Sequence, residues 1–278
     1  MEARLLPDGR RLHLNDGPID LIIGADGPPA AVRETYRAAA SRFATVLDEL
    51  CVELPLLRRH ARPNDPPDGA IARRMWDAVM PHAVAGFMAP MAAVAGAVAE
   101  TILRAMTDAA ALDRAFVNNG GDIALHLQPG QSFSMGVVDR PDHPALAATA
   151  RIAAGDGVSG IATSGWRGRS FSLGIADAVT VLAADAATAD AAATVVANAV
   201  DLPRHLAIAR RPASAMQPDS DLGERLVTVS VGALSPGEIA LALDHGAMRA
   251  RALCAAGCIV SAVLRLGGQT RVSGRNGA

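Results

Sequence analysis

Three oxygen-bearing residues, Asp190, Thr194 and Asn198, recur every four positions in a stretch otherwise made largely of Ala and Val. On a helix that spacing lays them along one face. Solvent-facing stripes are ordinarily built from Glu, Lys and Arg, whereas short carboxylate and hydroxyl groups suit a hard divalent cation such as Mg2+, which takes oxygen ligands. The same stripe would also serve as a plain solvent face, and spacing alone leaves both readings open. Upstream, Asn118-Asn119-Gly120-Gly121-Asp122 places two glycines at a strand junction, where they permit unusual backbone angles and close approach of a ligand, or simply make a tight turn. Ala162-Thr163-Ser164-Gly165 offers two hydroxyls and a glycine after a strand, a composition suited to cradling phosphate with backbone N–H groups.

Other residues could do chemistry of a different kind. Arg167 and Arg169, in WRGRS, could hold a phosphate or carboxylate through paired N–H groups, and Asp177 is a loop carboxylate able to replace a missing polar group. His82 and His126 lack a carboxylate or cysteine partner at ligand spacing and read as buried, hydrogen-bonded rings. Cys254 and Cys258 straddle a predicted helix end and read as small core residues.

The elements that position these residues follow from patterning. RLHL and DLIIGAD read as strands parted by the NDGP turn. Apolar spacing through Val32, Tyr36, Phe43, Val46, Leu47 and Leu50 predicts one helix from Pro29 to about Arg59, stopped by ARPNDPPDG. Val79 to Ala99 carries no charge over a bilayer-length run, but Pro81, His82 and Pro90 interrupt it and aromatic belts are missing. It reads as a buried strand or turn followed by a helix from near Pro90 to about residue 110. AFV, DIALHL and SFSMGVV have strand character, with QPGQ predicting a hairpin between the last two and the Pro-rich DRPDHP loop after them. AVTVLA is the clearest buried strand, and residues from about 186 to 200 form an Ala-rich helix. RLVTVSVGAL and CIVSAVLRL are strands on either side of an amphipathic helix capped by Ser235 and stopped by Gly257, and the tail over 268–278 is expected to fray. This mixed order predicts a single α+β domain over 1–278, with largely antiparallel sheets packed against helices.

Composition removes several functions. All 26 basic residues among the 278 are Arg, so a Schiff-base lysine and a phosphate loop ending in Gly-Lys-Ser/Thr are both excluded. A net charge of −2 and 3% aromatic content remove the basic footprint and stacking platforms of a nucleic-acid binder. Three cysteines without a CxxC pair, and an N-terminal stretch without an apolar core, lead to the expectation of a cytoplasmic protein with no membrane partner.

The order AGAVAE, FVNNGGDI, GIATSG and AVTVLAADAATADAAAT, over roughly residues 85 to 200, resembles the blocks of ApbE-type FAD:protein FMN transferases. More closely, the chain resembles an uncharacterised family related to them. The resemblance implies an ApbE-like (T-fold-like) fold and a Mg2+ site drawn from Asp190, Thr194 and the backbone carbonyl of Asp122. It also implies that a flavin, FAD or a related phosphorylated cofactor lies against Gly96, Glu100, Asn119, Gly120, Gly121, Thr163, Ser164 and Gly165. Two blocks differ from the transferases. Their Lys-Gly-x-x-x-Asp reads Ala95-Gly96-Ala97-Val98-Ala99-Glu100 here, and SFSLGIAD stands where they carry His-x-x-Asp-Pro-x-Thr-Gly. The expectation is therefore cofactor and Mg2+ binding with cofactor-modifying activity other than standard FMN transfer. A non-catalytic cofactor- or partner-binding relative is the alternative, and a homodimer is a further open expectation.

Overall fold

Strands arise where apolar residues alternate with polar ones. Leu12, Leu14, Ile19, Leu21 and Ile23 bury their side chains while their neighbours stay partly exposed, which fixes the pairing register of the first strands. In a computed structural model describing residues 1–138 and 146–274, the strands are β1 (Glu2–Leu5), β2 (Leu12–Asp16), β3 (Ile19–Asp26), β4 (Arg114–Asn119), β5 (Asp122–Leu127), β6 (Ser132–Val138), β7 (Leu146–Ala153), β8 (Gly160–Ser164), β9 (Ala178–Ala183), β10 (Ile208–Pro212), β11 (Leu226–Val231), β12 (Ser261–Leu266) and β13 (Gln269–Gly274). The helices are α1 (Pro29–Phe43), α2 (Val46–Val52), α3 (Leu54–Leu57), α4 (Ala70–Ala83), α5 (Val94–Ala109), α6 (Ala186–Ala199), α7 (Ala213–Met216) and α8 (Pro236–Ala255), with a 3-10 turn over Pro90–Ala93 before α5.

The described residues group into two compact units, each drawn from several stretches of chain, so no single cut separates them. The first comprises residues 1–133, 151–162 and 183–190. In it β1 to β5 pair antiparallel in chain order, and β5 pairs antiparallel with the start of β8 through Ile123–Ile161 and Ala124–Gly160. Helix α5 packs on β4 and β5 and against α1 and α4. The second unit holds β9, β12 and β13, paired antiparallel, with α8 packed on β12 and β13. Helix α8 opens with a capping box: Glu238 N–H donates to Ser235 Oγ (3.3 Å) and Ser235 N–H to Glu238 Oε2 (2.7 Å). β10 pairs with β11, and β6 with β7, as separate ribbons. The architecture is thus mixed, with helices on antiparallel sheet, as the order of patterns predicts.

Several expected elements differ. The helix expected from Pro29 to Arg59 is three helices, because Thr45 donates its hydroxyl to Glu49 Oε1 (2.6 Å) at one break and Pro55, lacking an N–H, opens α3 after the next. Residues 79–83, expected as strand or turn, complete α4, where Pro81 in the last turn forfeits one intrahelical bond. The QPGQ hairpin does not form: both edges of β5 are taken, by β4 and β8, and SFSMGVV pairs with β7 instead. The tail does not fray from 268. Gly267 and Gly268, at φ 53° and 79°, turn the chain so that residues 269–274 add β13 to β12. Residues 275–278 and the DRPDHP loop lie outside the described residues. Among those described, no helix is long and apolar enough to cross a membrane.

Candidate functional site

Within the first unit, the start of α6 is pressed against α5 by the absence of side chains. A Cβ on Gly96 would stand 2.8 Å from Ala187 Cα and closer still to the Ala186 carbonyl. Gly160 likewise leaves no room beside Asp185. The first turn of α6 is then fastened by carboxylates. Asp185 Oδ1 accepts the Thr188 N–H (2.7 Å) and Glu100 Oε1 accepts the Ala187 N–H (2.7 Å), so two donors that a helix start leaves unpaired are satisfied. Arg74 bridges both acids, donating from Nε to Glu100 Oε2 (2.8 Å) and from Nη2 to Asp185. Neither Arg74 nor Asp185 is marked by local sequence, since their contacts span 26 to 111 residues of chain.

One turn further along, Asp190 turns back toward α5, and its Oδ2 accepts the Gly96 N–H (3.0 Å). Beside it is Asp122. Burial and the Asp122 carboxylate push the Asp190 carboxyl well above its usual range, against the opposing effect of the Gly96 and Ala95 N–H groups. Asp122 is placed by the turn before it. Gly120 and Gly121 have φ 65° and 114° and close the β4–β5 hairpin, and the Gly121 N–H donates to Asn118 Oδ1 (2.8 Å). Asn119, buried, donates its side-chain amide to the Ala95 carbonyl (3.2 Å), which ties the hairpin to the start of α5. A Cβ on Gly121 would meet nothing within 4 Å, so the turn faces open space. The structure therefore brings Gly96, Asn119, Gly121, Asp122 and Asp190 together, while both Glu100 oxygens are engaged by Arg74 and the Ala187 N–H.

Two carboxylates, one of which raises the other, are hard oxygen donors of the kind a divalent cation takes. Among the described residues no group of three or more His, Cys, Asp or Glu is gathered, so further ligands to such an ion would be of another type.

The remaining expected residues are placed as follows. Thr194, partly exposed, follows Asp190 by one turn on α6. Asn198 is not free for a ligand: its Oδ1 accepts from Ser172 Oγ (3.2 Å) and Leu173 N (2.9 Å), fastening the SFSLGIAD segment. In the second unit, Thr163 is exposed with its hydroxyl 2.9 Å from that of Thr180, and Ser164 is partly exposed. Gly165 is buried where a Cβ would lie 2.6 Å from the Asp177 carbonyl. Asp177 has both oxygens in use, from Arg167 Nε (2.7 Å) and the Gly267 N–H (2.7 Å), and Arg167 lies over the Trp166 ring at 4.4 Å. Arg169 is exposed. His82 is buried in α4, as expected, and His126 is partly buried on β5. All three cysteines are free thiols, and burial raises that of Cys254.

Parts of this chain are similar to known proteins. The chain is 38% identical over 172 residues to a UPF0280 protein of Methanothrix thermoacetophila, covering 60% of this chain and 69% of that one. It is 41% identical over 130 residues to a UPF0280 protein of Methanopyrus kandleri, covering 46% of this chain and about half, 48%, of that one. Flavin Transferase ApbE from Vibrio cholerae superimposes over 98% of both chains with a TM-score of 0.41 at 14% identity. A family model described as AbpE bacteria matches residues 3–272. With that match spanning nearly the whole sequence, the chain belongs to the AbpE bacteria family.

Proposed function

We propose that the chain binds a flavin or a related phosphorylated cofactor together with Mg2+, and that Asp122 and Asp190 hold the ion. The observation that carries the reading is the carboxylate pair itself, in which Asp190 is pushed up by burial and by Asp122. A buried carboxyl raised by a second carboxylate is the kind of perturbed group that clusters at functional sites. Thr194 is the further ligand that the family resemblance implies. Bound there, Mg2+ would neutralise phosphate oxygens and act as a Lewis acid. The chain's own residues do the positioning. The Gly96 N–H orients the Asp190 carboxylate, Asn119 holds the NNGGD hairpin to α5, and Gly121 leaves backbone open to a ligand. Glu100 supports the site by fixing the first turn of α6. Thr163, Ser164 and Gly165 are the cofactor-contacting residues that the family resemblance implies in the second unit.

A second reading, a relative that binds cofactor without modifying it, is favoured by one observation. Ala95 replaces the transferases' lysine, and the segment replacing their histidine block is tied to Asn198 and carries no imidazole. The first reading is tested by titrating FAD into the protein with Mg2+ or with chelator. Binding is expected to be metal-dependent and to weaken roughly tenfold or more in Asp190→Ala, as loss of a charged ligand requires. Binding indifferent to chelator would remove the ion from the site.

A further inference from the structure

We propose that a recess in the first unit, lined by Arg58, Arg59, His60, Arg62, Asp65 and Phe87, is a binding site for a small phosphate-bearing molecule. None of these residues belongs to the Asp122–Asp190 site, and the inference stands whether or not that site holds a cation. The recess has a volume of about 300 Å³, at the small end for ligand sites, which suits a phosphate monoester or diphosphate rather than a large cofactor. Arg59 and Arg62 line it with their exposed guanidinium groups, and one carboxylate, Asp65, stands among the lining residues. That carboxylate, Asp65, is 3.9 Å from Arg59, with both side chains more than half exposed, too loose a pair to cancel the arginine.

The backbone that carries the recess is held in place. Leu57 and Ala61 are buried anchors on either side of the basic run. Ala61 N–H donates to the Met88 carbonyl (2.9 Å) and Met88 N–H to His60 Nδ1 (3.2 Å), which zips this stretch to the segment before α5. The Trp76 indole N–H and the Asp65 N–H both donate to the Arg62 carbonyl, at 3.3 and 3.2 Å. Because Nδ1 of His60 accepts, the proton of its neutral ring resides on Nε2, making that edge a donor. His60 and Phe87 stack with centroids 5.7 Å apart at 29°, an apolar wall for the group esterified to the phosphate. The planar guanidinium forks of Arg59 and Arg62 match phosphate oxygens in pairs.

The test uses the full chain in chelator, so that no metal–phosphate complex can mimic the effect. Inorganic phosphate, pyrophosphate and, as a carboxylate dianion, malonate are each titrated by calorimetry at low and high NaCl. Pyrophosphate is expected to bind one-to-one with half-saturation below about 1 mM. Binding should weaken with salt and fall about tenfold or more in Arg59→Ala and in Arg62→Ala. Both side chains are exposed, so both variants should fold. In the unaltered protein the His60 ring resonances should shift along the same isotherm. Overturning results are an absence of saturable binding, binding unchanged in the Arg59→Ala/Arg62→Ala double variant, no movement of His60, or malonate binding as tightly as phosphate.

Discussion

Asp190 carries the functional reading at the scale of single residues, and its surroundings set the sign of a pH effect. A carboxyl raised in the folded chain disfavours folding once it ionises. Stability of the metal-free protein should therefore fall as pH rises from near 4 through the folded value, and level off above it. Asp190→Asn keeps an oxygen for the Gly96 N–H and removes the repulsion with Asp122. In chelator at neutral pH it should be more stable than the parent by on the order of 1 kcal/mol, roughly 2–4 °C in melting temperature, while losing any stabilisation by Mg2+. A thermal melt of both proteins with and without Mg2+ checks this; a destabilised variant that still responds to Mg2+ would contradict it. The Asp190 stripe and the paired glycines before Asp122 were legible from local spacing, whereas Asp122 itself entered only through the family resemblance, and by its backbone carbonyl rather than its carboxylate. Arg74 and Asp185 were not, since nothing near either residue announces a partner up to 111 residues away. The engagement of Glu100, Asp177 and Asn198 by protein donors was hidden for the same reason.

Among the elements, α6 was read with nearly its full extent because its alanines and its preceding buried strand are both continuous patterns. What the pattern did not disclose is why the helix is so poor in large side chains. Ala186, Ala187, Ala189, Ala191, Ala192 and Ala193 are fully buried, and Gly96 and Gly160 remove the remaining bulk beside its first turn. Gly96→Ala should consequently cost roughly 1–3 kcal/mol, because its Cβ meets backbone rather than a movable side chain. It should also shift Asp190, so a denaturation curve and a cation titration should be affected together. Unchanged stability would show that α5 and α6 can separate without loss. The misread elements share a cause. Periodicity reports a face to be buried but not which edges are already paired, which is why QPGQ suggested a hairpin that β8 pre-empts. It also underweighted a Gly-Gly pair that turns the chain back as β13.

For the whole molecule, the α+β class was legible from the alternation of patterns, whereas grouping into two interleaved units was not, because each unit takes its residues from separate stretches. Transfer of FMN to a threonine hydroxyl requires a positioned base and stabilisation of the departing phosphate. With Ala95 in place of lysine and no histidine segment, mass spectrometry of a threonine acceptor peptide incubated with protein, FAD and Mg2+ should find no FMN adduct. An adduct would return the chain to the active transferases. On the proposed reading the carboxylate pair holds a cation before any reaction, and Mn2+ tests that directly as a paramagnetic ion accepted by the oxygen ligands that take Mg2+. Titration of Mn2+ followed by electron paramagnetic resonance should show one ion bound per chain, displaced by excess Mg2+ and lost in both Asp122→Asn and Asp190→Asn. Binding of Mn2+ that survives in both variants, or no binding in the unaltered protein with FAD present, would contradict a cation site at Asp122 and Asp190.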